Sequence, residues 1–286
     1  MTGRLVVGID GSPASAAAAA WAGQEAALWD ADVHLLNVWR PPVSNVQFSP
    51  NPEAYRLWEE DRLAGTARDV RGTYPGLTVT AEQASGTPVK VLLRAAATAD
   101  MLVLGSGGLG RMSRFLLGSV GLPVLAHSER PVVLVRTPEG SDVAGPDVVV
   151  GVDLGASVDA LMAFALAEAE VRQSTLRVVH ADDVRRMYGY AAPQLDPGLA
   201  LEFRAEQETA LAKALAPWRN GPQGGRVVQE VVTGPVVSSL IDASAGAGLL
   251  VVGRRRGSLH VGAHIGPVTH GVVHHAGCPV AVVAHD

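Results

Sequence analysis

A chain of 286 residues, 48% hydrophobic and 18% charged, has room for two ordinary domains and too much apolar content for a disordered protein. The net charge of -5 supplies no broad basic surface for nucleic acid, and the single cysteine, Cys278, excludes an internal disulfide framework and a cysteine-based zinc site. Met1 to Val7 lacks the basic start and apolar core of a secretion signal, and no apolar run approaches a bilayer span, so a cytoplasmic location is expected.

In chain order, the first predicted strand is the β-rich run Arg4 to Ile9, ending at Asp10-Gly11-Ser12-Pro13. Ser followed by Pro opens a helix, with Pro at its first position, and this helix is predicted to reach about Trp29. A second strand, Val33 to Trp39, leads through a Pro-rich loop to a charged helix over about Glu53 to Thr73. Leu77 to Gln83 is the third strand, and Gly86-Thr87-Pro88 opens the helix Val89 to Ala97. Asp100 to Gly105 is the fourth strand, and it ends in the glycine-rich loop Gly105-Ser106-Gly107-Gly108-Leu109-Gly110. Gly118 and Ser119 follow, and Ser119 is read as the cap of a helix from Val120 to His127. Pro131 to Val135 completes a βαβαβαβαβ alternation, which specifies α/β architecture: a parallel sheet with helices on both faces.

The pattern then repeats. Thr137 to Asp147 is rich in Pro, Gly, Ser and Asp and reads as a linker, giving domains over 1–137 and 147–286. Val148 to Asp153 echoes Leu5 to Asp10, Leu176 to Ala181 echoes the second strand, and Leu249 to Gly253 echoes Met101 to Gly105. Asp153 lies 143 residues after Asp10, and Gly253 lies 148 after Gly105, so the second half carries five more residues between the two points. A duplication at domain length accounts for this.

In open α/β sheets ligands bind beyond the carboxyl ends of the strands, where the strand order reverses. If the first and fourth strands are neighbours, Asp10, the backbone near Val38 and the glycine loop line one crevice. Asp10 is suited to accept from a ribose hydroxyl or an adenine amino group, and the backbone at Val38 to read the adenine edge. Gly105, Gly108, Gly118 and Ser119 would hold the phosphates, because glycine lets main-chain donors approach a ligand and a helix N-terminus favours an anion. The loop contains no Lys, so charge neutralisation falls to backbone dipoles, Arg111 or Arg114, or Mg²⁺. Taken singly, Asp10 also fits a turn or cap and the glycines a plain loop. The spacing G-x2-G-x9-G-S is neither a P-loop nor a Rossmann fingerprint.

Gly105-x2-Gly108-x9-Gly118-Ser119, with Asp100 to Leu104 before it and Arg130 to Val135 after it, resembles the universal stress protein family, as does Val7-Gly8-Ile9-Asp10-Gly11-Ser12. The resemblance covers nearly the whole chain, once per half. It implies a five-stranded parallel sheet per domain in the order 3-2-1-4-5, as in adenine nucleotide α-hydrolase-like folds, and ATP held by Asp10, Val38, Gly105, Gly108, Gly118 and Ser119. It further implies a cytoplasmic stress or dormancy regulator with little or no hydrolysis, in which the last strands of two domains pair as in a dimer.

The second half keeps Asp153, Gly253 and Gly266 as matching positions but departs elsewhere: Arg256 stands where Gly108 does, and Pro267 where Ser119 does. Arg256 brings a side chain to a place of close approach, and Pro267 lacks hydroxyl and N–H. The second site is therefore expected to bind ATP more weakly than the first, or not at all. Rival readings are an adenylate-forming or ATP-pyrophosphatase-type enzyme, whose S-G-G-x-D-S loop is missing after the first strand, and a nucleotide-free interaction module. Six of nine histidines lie in the last 27 residues, with His260/His264 and His270/His274 at i, i+4 spacing; helix-surface or interface roles are favoured over a metal site. Trp21, Trp29, Trp39 and Trp58 read as core or interface residues, and Cys278 as a small buried filler.

Overall fold

The computed structural model describes residues 3–39, 51–107, 118–137, 145–182, 197–219, 226–256 and 265–286. The chain divides into two compact units, Met1–Ser141 and Asp142–Asp286.

The first unit runs β1 (Arg4–Ile9), α1 (Pro13–Trp29), β2 (Asp32–Trp39), α2 (Pro52–Thr73), β3 (Val79–Ser85), α3 (Pro88–Ala97), β4 (Met101–Gly105), α4 (Gly121–His127) and β5 (Val132–Val135). All pairings are parallel, in the order β3-β2-β1-β4-β5. The order therefore reverses between β1 and β4, and the crest there is where the fold leaves a crevice. The apolar runs of β1, β4 and β5 are buried because helices cover both faces of the sheet. On α1, Ala14, Ala18, Ala22 and Ala26 form a buried i, i+4 stripe whose small side chains let the helix lie close to the strands. Ser12 caps α1 by accepting from Ser15 N (3.1 Å), with Pro at the first turn, as Ser12-Pro13 specifies.

The second unit runs β6 (Val148–Gly151), α5 (Asp159–Val171), β7 (Leu176–Asp182), α6 (Pro197–Arg219), β8 (Val227–Thr233), α7 (Val236–Ala243), β9 (Leu249–Arg255), α8 (Pro267–His275) and β10 (Val280–His285). Its parallel order is β8-β7-β6-β9-β10, the same topology as the first unit. Among the described residues no helix is long and apolar enough to cross a membrane.

Two expectations need correction. The helix after the glycine loop begins at Gly121, not Val120, and Ser119 does not cap it. Pro123 has no N–H to close a first turn onto the Ser119 carbonyl, so the first i→i−4 bond runs from Val124 N to Val120 O (3.1 Å). Trp58 is not a core residue: it is 51% exposed, with the Arg62 guanidinium 4.5 Å above its ring. Cys278 is buried next to β10, as a small filler should be.

Candidate functional site

The carboxyl end of β1 delivers Asp10 to the crest. Its Oδ1 accepts from Ser12 N (2.9 Å), closing an Asx turn in which Gly11 takes φ 77°. Partial desolvation pushes the Asp10 pKa up, but hydrogen bonds from Ser12 and Ser15 outweigh it and hold the group below the ordinary aspartate value. Asp10 is thus an ionised acceptor at neutral pH. Because the folded chain holds this proton less tightly than the unfolded one, the stabilisation is present above the unfolded pKa and lost as pH falls through the lower folded value. An Asp10→Asn variant is therefore expected to be less stable than the parent by about 0.5 kcal/mol at pH 7, a small effect because solvent screens this exposed carboxylate. In urea titrations the gap should close below about pH 3.9.

A cleft of about 420 Å³ opens at this crest, lined by Asp10, Val38, Gly105, Gly118 and Ser119 together with Glu59. Five of the predicted positions therefore meet in one cavity. Gly108, Arg111 and Arg114 lie outside the described residues. The two glycines have different physical meanings. A Cβ on Gly105 would lie 2.6 Å from Ala14 O and Ser15 N, so the first turn of α1 alone demands glycine there. At Gly118 no described atom lies within 4 Å of such a Cβ, so packing makes no demand on it.

Sequence reasoning missed the α2 side of the cleft. Asn37, buried at the end of β2, donates from Nδ2 to Ile9 O (2.9 Å) and to Glu59 Oε2 (3.3 Å), while Gln83 Nε2 donates to Asn37 Oδ1 (3.3 Å). Tyr55 also lines the cleft, and the neighbouring Glu59 carboxylate raises its pKa. Asn37 carried a signal, a lone amide in an otherwise apolar strand end. Tyr55 and Glu59 carried none, since they stand in a helix rich in charge.

The second unit has a crest cleft of about 620 Å³ that includes Asp153, Gly253, Gly266, Arg255, His180 and His285. His180 plays the part of Asn37, its Nδ1 lying 3.0 Å from Val152 O. The carboxylate is differently engaged: Asp153 Oδ1 accepts from Gly155 N (2.9 Å), and Oδ2 from Arg255 Nη2 (2.7 Å). The sheet also continues further here. The β9–β10 ladder reaches Arg255↔His285, and Arg256 N donates to His285 O (2.6 Å). In the first unit the corresponding ladder ends at Gly105↔Val135, with Ser106 N bonded to Val135 O (2.7 Å). The Arg256 main-chain donor is thus committed to the sheet. At the 143-residue offset, the first turn of α1, 13–15, corresponds to 156–158, which precedes the start of α5. The His285 ring occupies the side of Gly253 that α1 covers at Gly105: a Cβ on Gly253 would meet His285 Nε2 at 2.5 Å. Gly266 stands at the N-cap of α8 with Pro267 in the first turn, and Thr269 Oγ1 donates to Gly253 O (2.6 Å).

The His270 and His274 rings meet on α8 in a tilted pair, centroids 4.5 Å apart and planes at 51°. Among the described residues no three His, Cys, Asp or Glu side chains are grouped to hold a metal ion; His260 and His264 lie outside them.

The sequence profile of the universal stress protein family matches residues 1–136 and 146–284. A universal stress protein of Mycobacterium tuberculosis strain H37Rv is 33% identical over 292 residues, covering 97% of this chain and 96% of the relative. A second from the same strain is 31% identical over 293 residues, covering 97% and 95%. The crystal structure of a universal stress protein from Archaeoglobus fulgidus superposes over 100% of both chains with a TM-score of 0.72 at 17% identity, a likeness of fold. With both halves matched by one profile and both built on the same strand order, the chain belongs to the universal stress protein family as a tandem, two-segment member.

Proposed function

We propose that the protein is an ATP-binding regulator of stress or dormancy responses, acting in the cytoplasm, with nucleotide held mainly in the first unit. The observation that supports this most is the meeting of Asp10, Val38, Gly118 and Ser119 in one crest cleft, with no described atom within 4 Å of a Cβ placed on Gly118. Asp10 is an ionised acceptor suited to a ribose hydroxyl, the Val38 main chain faces the base, and the unobstructed backbone at Gly118 and Ser119 receives the phosphates, alone or with Mg²⁺. Among the described residues the carboxylates lining the cleft are Asp10 and Glu59, which in this reading serve the ribose and the base rather than water attack on the phosphates. Turnover is accordingly slow or nil, and ATP acts by changing a partner-binding surface or the oligomeric state.

The second cleft is a poorer ATP site in this reading. Its Arg256 main-chain donor is engaged in the sheet, Asp153 is paired to Arg255, and Pro267 offers no N–H. Calorimetric titration of the intact chain, with and without Mg²⁺, should give one tight ATP equivalent per chain, and a phosphate-release assay should show no multiple turnover over the same hours. Two equal sites would overturn the asymmetry. Failure to bind ATP, or rapid hydrolysis, would overturn the functional reading itself.

A further inference from the structure

Glu59 raises a problem that ATP binding alone does not answer: why a cleft for a polyanion keeps a second carboxylate besides Asp10. Its place in the sheet order suggests the reason. The β4–α4 side of the crest carries Gly105, Gly118 and Ser119, whereas Val38, Asn37, Tyr55 and Glu59 come from β2 and α2 on the opposite side of β1. A nucleotide laid across β1 with its phosphates at Gly118 therefore brings its base toward Glu59. Facing a phosphate, a carboxylate repels; facing an exocyclic amine, it accepts a charge-assisted hydrogen bond.

Glu59 is also held in place rather than loose in solvent. Asn37 Nδ2 is fixed by its bond to Ile9 O and donates at the same time to Glu59 Oε2, and Tyr55 stands close enough for the same carboxylate to raise its pKa. The bond from Asn37 leaves acceptor capacity on a group with about four lone-pair positions. Gln83 in turn secures the Asn37 amide from β3.

Resting on the reading that the first cleft binds a purine nucleotide, we propose that Glu59 is its specificity-determining residue. It accepts from the 6-amino group of the purine and so selects adenine over a 6-oxo base. Asn37 and Tyr55 are positioning residues that aim the carboxylate. A 6-oxo purine would set its carbonyl oxygen against Glu59, leaving two acceptors face to face.

The test is a pair of calorimetric titrations of the full-length protein, with ATP and with inosine triphosphate, which differ at the 6-position and, with it, at N1, an acceptor in adenine and a donor in the 6-oxo base. The parent should prefer ATP by about tenfold or more, the range of one hydrogen bond to a charged group. In Glu59→Gln the amide N–H can donate to the 6-oxygen, so inosine triphosphate should bind more tightly while ATP binds more weakly, bringing the ratio to about twofold or less. Opposite movements of the two affinities are not produced by a folding defect. Tyr55→Phe, at a position 40% exposed and keeping the ring that meets Trp58, should lower the ratio in the same direction by a smaller factor. An unchanged ratio in both variants, with ATP still bound, overturns the role of Glu59 and leaves the ATP site standing. Absence of binding of either nucleotide to the parent overturns both.

Discussion

Gly105→Ala lowers the stability of the first unit by about 2–3 kcal/mol, the cost of forcing one methyl group into a filled space. The magnitude follows from what the added Cβ meets. The neighbours at 2.6 Å are Ala14 O and Ser15 N, main-chain atoms in the first turn of α1, which cannot rotate aside as a side-chain tip would. The turn is itself fixed by the Ser12 cap and by a stripe of buried alanines against the sheet, so relief requires moving the helix. The effect should be read in urea unfolding followed by tryptophan fluorescence, since four of the five tryptophans, Trp21, Trp29, Trp39 and Trp58, lie in the first unit. A transition midpoint equal to that of the parent would show that α1 does not press on Gly105 as described.

Gly118→Val is expected to do the reverse: leave the unfolding curve within about 0.5 kcal/mol of the parent and weaken ATP binding by tenfold or more, roughly 1.4 kcal/mol or above. No described atom stands within 4 Å of a Cβ at this position, so the fold loses little by carrying a side chain there. The ligand, in contrast, would meet a β-branched group where its phosphates approach bare main chain. Calorimetry gives the affinity and urea titration the stability. The pair Gly105 and Gly118 thus separates two meanings of glycine inside one motif, one imposed by packing and one that, under the proposed function, is left for a ligand.

That separation marks the limit of what the sequence discloses. The buried strands were legible because apolar runs such as Leu5-Val6-Val7 and Val132-Val133-Leu134-Val135 have few other places to go, and the helix start at Ser12-Pro13 because cap and Pro act locally. The duplication was legible for the same reason, written twice. Ser119 misled because its apparent capping role was judged without Pro123, four residues on, whose missing N–H delays the first helical bond to Val124. Tyr55 and Glu59 gain meaning only when α2 packs beside β2, a relation no local pattern carries. The Arg255–Asp153 pair likewise joins residues 102 apart in the chain, through a strand that runs two residues beyond its counterpart. Even so, the pair is exposed on both sides, and such contacts contribute little to stability; its consequence is for ligand access to Asp153.

The central claim is that the first unit's crest grips a triphosphate through open main chain. A crystal structure of the full chain grown with excess ATP tests it most directly. The account predicts nucleotide in the first unit, phosphates against Gly118 and Ser119, ribose at Asp10 and the base between Val38 and Glu59. Nucleotide confined to the second unit, or a first cleft holding only water, would contradict it.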